Sequence, residues 1–317
     1  MVYLESLKKI HSKSNVLLED LLTIIKRYVA SDEKIVSIDY FAEGRVNVLF
    51  VIKLKKLILI LRERKKVNSF VNNLNWIDLI NFMDVNHYNI FPKIYYNDIK
   101  RGISIIEFLG TTTLENELTE KNLFYTGKNL RKLHDIIVPK DSTIWISSLL
   151  SKQDVDDYYL SYYAKVIGEC KVFFPKEAKL VGEIIAKRYR RGIYKHYKLS
   201  ILHHDFHLKN IMIHNNKITF IDWDSSRIGV AEEEFVKLKH LNWKYFNNAQ
   251  KSAFIKGYNE DSRIVFTENF KCHEAIWLLK MLVFEYTNQE LDNDSRYFPP
   301  IKYYRKEIRK IASEKEN

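Results

Sequence analysis

The chain has 317 residues, 46% hydrophobic and 29% charged, with a formal net charge of +11. This length and balance allow a large core or two lobes, and nine glycines with five prolines exclude low-complexity and collagen-like chains. Cys170 and Cys272 stand far apart without metal-ligand spacing, which argues against a disulfide framework and for a reducing, cytoplasmic setting.

Leu4, Leu7 and Ile10, then Leu17, Leu18, Leu21, Ile24, Ile25 and Tyr28 repeat with helical period, predicting two helices within residues 3–30 parted near Ser12 to Asn15. Glu19 and Asp20 interrupt the apolar run at 16–25, which stays far short of the about 20 apolar residues that span a bilayer. No targeting segment is visible, and no membrane partner is expected. The period then changes to strands at 35–41, 46–54 and 57–62, with Gly44 at the first turn, where backbone N–H groups can approach phosphates. A helix follows over 69–83, with Ser69 as N-cap and Phe70, Leu74, Ile77 and Ile80 on one face. Strands at 91–95 and 102–108 complete a five-stranded antiparallel set.

From there the pattern is mostly helical: 122–134 ending Leu130-x2-Leu133-His134, 153–169, and 175–194 opened by Pro175. Further helices are expected over 235–245, 249–258, 270–286 and 300–312. Between these groups lies residues 200–229, read as strand, loop, strand, turn, strand, with strands at 211–214 and 217–221 about the turn signal Asn215-Asn216.

That stretch carries the chemistry. The spacing His203-x-Asp205-x4-Asn210, with Ile221-Asp222-Trp223-Asp224 after the hairpin, matches the catalytic-loop and metal-loop pattern of phosphoryl transfer. Asp205 suits a base; Asn210 and Asp222 offer hard oxygen donors for Mg²⁺. A zinc cluster of His203, Asp205, His204 and His207 is the competing assignment, and adjacent residues of an extended segment point to opposite faces, which disfavours it.

His-x-Asp-x-His-x2-Asn followed by Ile-Asp-Trp-Asp resembles the aminoglycoside phosphotransferase and choline kinase-like family, and also the spore-coat kinase-like proteins. The resemblance implies an α+β, protein-kinase-like two-lobe fold: residues 1–109 as an N-terminal lobe with an antiparallel five-stranded sheet, and 110–317 as a mostly helical C-terminal lobe. It implies an ATP-dependent, Mg²⁺-dependent small-molecule kinase, with Asp205 and His207 catalytic and Asn210 and Asp222 on the metal. Gly44 and Asn47, in Gly44-x2-Asn47-x2-Phe50, take the phosphate-loop positions. Arg62, with Arg64 as fallback, takes the position that holds the α- and β-phosphates. Asp78 is the acid available to pair with it, and Glu107, Phe108 and Leu109 form the adenine hinge. Glu234, in Glu232-Glu233-Glu234, fits a brace for the catalytic loop, and an acidic helix N-terminus explains it equally well.

The acceptors so implied are an aminoglycoside-like antibiotic, in which case the chain would confer antibiotic resistance, a sugar, or an amino alcohol such as choline. Glu232, Glu233, Glu234, Glu285 and Glu290 could serve a cationic acceptor. Trp243, Tyr245, Trp277 and Tyr286 could serve a quaternary ammonium or simply the core. The charge of +11 is compatible with an anionic partner, but the basic residues are scattered, which disfavours nucleic acid. The alternative of a different class is a kinase-fold scaffold of spore-coat type without catalysis.

Overall fold

The computed structural model describes residues 9–29, 33–44, 47–65, 76–85, 87–142, 154–259, 264, 266–288 and 299–314. Two compact units emerge: Met1–Val71 with Ile80–Thr112 and Met212–Ile221, and Asn72–Leu79 with Thr113–Ile211 and Asp222–Asn317.

The first unit is built on a sheet of β1 (Ile35–Glu43), β2 (Asn47–Leu54), β3 (Ile58–Arg64), β4 (Ile94–Asp98) and β5 (Ile103–Glu107). Its order is β1-β2-β3-β5-β4, antiparallel throughout. Alternation along the strands separates the two faces. Val48, Phe50, Ile52, Leu59, Leu61, Ile103 and Ile105 form one face and pack with Val16, Leu21, Ile24 and Ile25 of the N-terminal segment. Arg62, next to Leu61, therefore belongs to the opposite face.

Among the described residues of the N-terminal segment, the break expected near Ser12 to Asn15 is present and α1 (Leu18–Ile24) follows it, running on into a π-helical turn at Ile25–Val29, while Lys9 and Leu17 form an antiparallel bridge. Leu4 and Leu7 lie outside the described residues. A buried carboxylate explains the bridge. Glu63 is almost inaccessible on β3, and Ser14 Oγ (2.6 Å), Asn15 N (2.8 Å) and Asn15 Nδ2 (3.0 Å) all donate to it. A helix through residues 12–15 would deny Glu63 those donors.

The predicted Ser69 cap, Phe70 and Leu74 also fall outside the described residues, and α2 spans Trp76–Val85. β7 (Ile211–His214) and β8 (Lys217–Phe220) form the hairpin expected from Asn215-Asn216, whose φ angles of 49° and 60° are those of a primed two-residue turn.

The second unit contains α3 (Glu120–His134), α4 (Val155–Lys171), α5 (Pro175–Arg188), α6 (Glu232–Lys237), α7 (Asn248–Tyr258), α8 (Phe270–Asn288) and α9 (Ile301–Ser313). Caps account for two of the starts. Thr119 accepts from Asn122 N at the head of α3, and Asn247 with Gln250 makes a reciprocal capping box on α7. α6 begins before the predicted residue 235 and becomes a π-helical turn at Leu238–Asn242.

The strand expected at 199–202 is β6 (Leu199–Leu202), and its partner is β9 (Arg227–Val230), in register Leu202↔Arg227. β9 was not foreseen. His134 fixes the end of α3 beneath this pair: its Nδ1 meets Tyr258 Oη at 2.7 Å, and its carbonyl accepts from Ser200 Oγ at 2.8 Å.

α3 and α7 cross at Gly127, where an added Cβ would lie 2.2 Å from Phe254 O and 2.9 Å from Tyr258 N. Gly127→Ala should therefore cost about 1–3 kcal/mol in urea denaturation. Gly182→Ala in α5, where a Cβ meets nothing within 4 Å, should be neutral or stabilising. Equal stability of the two variants would contradict this packing.

Candidate active site

The loop after β6 starts from a buried histidine and is held by one carboxylate. Glu234 Oε2 accepts from His203 N at 2.7 Å, and its Oε1 accepts from His204 N at 2.9 Å. His204 sits at φ 60°, a left-handed conformation that costs a non-glycine residue about 1 kcal/mol or more. The His203 ring lies 4.6 Å from the Trp223 ring, and its Nδ1 accepts from Asp205 N at 3.2 Å.

This brace presents Asp205. Asn210 Nδ2 donates to Asp205 Oδ2 at 2.9 Å and to the Asp205 carbonyl at 3.0 Å. His207 Nε2 lies 3.7 Å from Oδ2, and Lys237 Nζ from α6 ion-pairs with Oδ1. Burial alone would raise the Asp205 pKa, but the Lys237 and His207 charges and hydrogen bonds outweigh it and hold the carboxyl well below the usual carboxylate range. Asp205 is thus an anion across the physiological range. Because its amide donates to Asp205, Asn210 keeps the carbonyl oxygen Oδ1 as its ligand end.

Asp222 follows β8 with φ 64° and ψ 60°, and its side chain is exposed. The Asn210 amide oxygen and the Asp222 carboxylate, on either side of the β7–β8 hairpin in sequence, are donors of the kind that suit a hard cation. Among the described residues, no three His, Cys, Asp or Glu side chains form a metal-holding group, so the four-residue zinc cluster does not assemble there.

The three consecutive acids at the head of α6 are all buried, which excludes a solvated acidic helix start. Glu232 accepts from Tyr194 Oη (2.5 Å), Thr267 N (2.8 Å) and Thr267 Oγ1 (2.6 Å). Glu233 takes Tyr159 Oη and the Arg227 guanidinium. Glu234 takes the loop. Successive helical residues turn by about 100°, so each acid faces a different wall.

In the first unit, Gly44 N donates to Asn47 O at 2.9 Å, closing the β1–β2 hairpin. With its amide oxygen toward Arg62, Asn47 accepts from Nη2 at 2.7 Å and Nε at 3.2 Å. Gly44, Asn47 and Arg62 are therefore gathered at one end of the sheet. Glu107 N donates to the Lys93 carbonyl at 2.8 Å while Glu107 Oε2 accepts from Lys93 N at 3.2 Å, and Phe108 N reaches Ile58 O at 3.4 Å; Leu109 is buried. Asp78 is exposed on the first turn of α2.

The aromatic residues considered for a quaternary ammonium do not converge. Trp277 stacks on His240 at 5.4 Å, Trp243 packs on Phe246 and Phe254, and Tyr286 packs on Phe173 and Phe174. Tyr245 already has the Lys244 ammonium 4.8 Å from its ring. Arg227 and Lys237 escaped sequence reasoning altogether. The only available signal was their position, flanking the acid triplet.

A family model described as the phosphotransferase enzyme family matches residues 90–268. No curated protein matches the chain by sequence. Among solved structures, the choline kinase of Streptococcus pneumoniae superposes with a TM-score of 0.61 at 16% identity, covering 92% of this chain and 99% of that one. The ethanolamine kinase of Plasmodium vivax gives 0.62 at 15% identity, covering 92% and 86%. A spectinomycin phosphotransferase in complex with ADP and spectinomycin gives 0.58 at 16% identity, covering 94% and 98%. At these identities the likeness establishes the kinase-like fold.

The state of Asp205 has a consequence for stability. Its folded pKa lies below the unfolded value of about 3.9, so its contribution is full above that value and is lost as pH falls. In urea denaturation, wild type should lose stability relative to Asp205→Asn as pH drops below about 4, with a constant difference between about pH 5 and 7. A difference that stays constant down to pH 2.5 would contradict the ion pair.

Proposed function

We propose that this chain, which belongs to the phosphotransferase enzyme family, moves the γ-phosphoryl group of ATP to a hydroxyl of a small molecule. The observation that carries this is the braced loop, in which Asp205, His207 and Asn210 are brought together by contacts within the second unit. Transfer of a phosphoryl group demands positioning and charge neutralisation more than covalent chemistry, and a preformed loop supplies the first.

Asp205 orients the acceptor hydroxyl and takes its proton. His207, within 3.7 Å of Asp205, steadies that carboxylate and meets the transferring group. Asn210 Oδ1 and the Asp222 carboxylate would hold Mg²⁺, which when bound neutralises charge on the phosphate oxygens. The Gly44–Asn47 hairpin and Arg62 take the phosphates, with Asp78 as the acid assigned to Arg62. Backbone groups of Glu107, Phe108 and Leu109 meet the adenine. Structural neighbours bound to ADP support a nucleotide in this role. The acceptor class implied by the family is a sugar, an amino alcohol or an aminoglycoside-like antibiotic.

One observation favours a second assignment. Lys237 occupies one oxygen of Asp205, an arrangement that also suits a kinase-fold scaffold of spore-coat type in which the pair is purely structural.

Calorimetry with ATP separates the two. Wild type should bind ATP in a Mg²⁺-dependent manner, and Asp222→Ala should weaken that binding at least tenfold. Asp205→Asn should keep ATP binding while losing about 10²–10⁴ in turnover. Absence of Mg²⁺-dependent ATP binding in wild type would leave only the scaffold.

A further inference from the structure

Three of the five acidic residues expected to receive a cationic acceptor are already engaged, and Glu290 lies outside the described residues. Glu232, Glu233 and Glu234 are buried and satisfied by tyrosines, a threonine, an arginine and backbone N–H groups. Cations stand instead at Asp205 and along the contacts that run from the adjacent His204 through Glu233 to Tyr162. Lys237 pairs with Asp205 itself. Arg227, at the end of β9 opposite Leu202, pairs with Glu233, and its guanidinium carbon stands 5.2 Å from the Tyr162 ring. Its Nε is buried without a hydrogen-bond partner.

Lys280, from α8, donates to Tyr162 Oη at 3.1 Å and lies 5.6 Å from the same ring. Among the described residues, Lys280 meets no carboxylate at ion-pair distance. His204 closes the group, with Nε2 at 4.0 Å from Glu233. Burial, then Arg227, Lys280 and Lys237, push its pKa well down and keep the imidazole neutral. Among the described residues, Asp205 answers Lys237, Glu233 answers Arg227, and Lys280 meets a phenol.

The geometry points to an acceptor that carries a negative group, a carboxylate or a phosphate, beside the hydroxyl to be phosphorylated. Lys280, Arg227 Nε and the Tyr162 hydroxyl hold that group by charge-assisted hydrogen bonds, and the hydroxyl reaches Asp205. In the transfer, the acceptor oxygen forms its bond to the γ-phosphorus as the bond to ADP breaks. ADP leaves with that electron pair, and the hydroxyl proton goes to Asp205 and then to solvent. The inference rests on the phosphotransferase assignment and narrows its acceptor away from aminoglycosides and choline.

Four three-carbon alcohols differing in charge test it by calorimetric titration of the full chain: glycerol 3-phosphate, glycerate, glycerol and 3-amino-1,2-propanediol. At least one anionic probe should bind about tenfold or more tighter than glycerol, with the amine no tighter than glycerol, and the better anion identifies phosphate or carboxylate. Lys280→Glu, a change on an exposed side chain, should cancel the preference, and Lys280→Arg should keep it. Equal binding of all four probes, tighter binding of the amine, or a preference that survives Lys280→Glu would overturn the inference. Mg²⁺–ATP binding is measured on the same sample. ATP bound without an anion preference removes the acceptor inference alone, while absence of ATP binding removes both.

Discussion

The carboxylate of Glu234, accepting from the backbone N–H groups of His203 and His204, is the interaction on which the rest of the site depends. A loop that turns through φ 60° at His204 would relax without an acceptor to hold it. Buried N–H groups without partners cost about 1–3 kcal/mol each, so the chain has a large incentive to keep Glu234 in place. Because α6 turns by about 100° per residue, the same helical start sends Glu233 to Arg227 and Glu232 to Tyr194 and Thr267. One short helix thus ties the His203–Asp205 loop to β9 and, through His273 beside Glu232, to α8, and the position of Asp205 follows.

How much of this was legible depends on how local the determinants are. Asp205, Asn210 and the Asn215-Asn216 turn were readable because fixed short spacings carry them. The five strands of the first unit were readable because alternation is a property of each strand by itself. β9 was not, since four residues with a glycine become a strand only by pairing with β6, which ends at Leu202, far back in the sequence. Glu234 read equally well as a brace for the loop and as part of an acidic helix start, because the partners that bury the triplet, Tyr159, Tyr194 and Thr267, come from distant segments. At the N-terminus, the break near Ser12 to Asn15 was legible, but not its cause, a buried Glu63 to which Ser14 and Asn15 donate and which periodicity cannot register.

Electrostatics gives the site its character beyond the motif. A charge of +11 scattered over a surface says little about partners, yet cations placed beside Asp205, Glu233 and Tyr162 say a good deal. Lys237 holds Asp205 ionised, Arg227 anchors Glu233, and Lys280 stands over a phenol. The kinase-like motif specifies the group to be transferred. The surroundings of Asp205, contributed by α4, α6, α8 and β9, bear on what receives it.

Hydrogen exchange at the amides of His203 and His204 tests the brace most directly. If Glu234 organises the loop in the ligand-free protein, both amides should exchange only as slowly as the global unfolding equilibrium allows, and Glu234→Gln should open them locally while β2 and β3 stay protected. Rapid exchange of these two amides in the wild-type protein would show that the loop is not preformed, and the account built on Glu234 would fail.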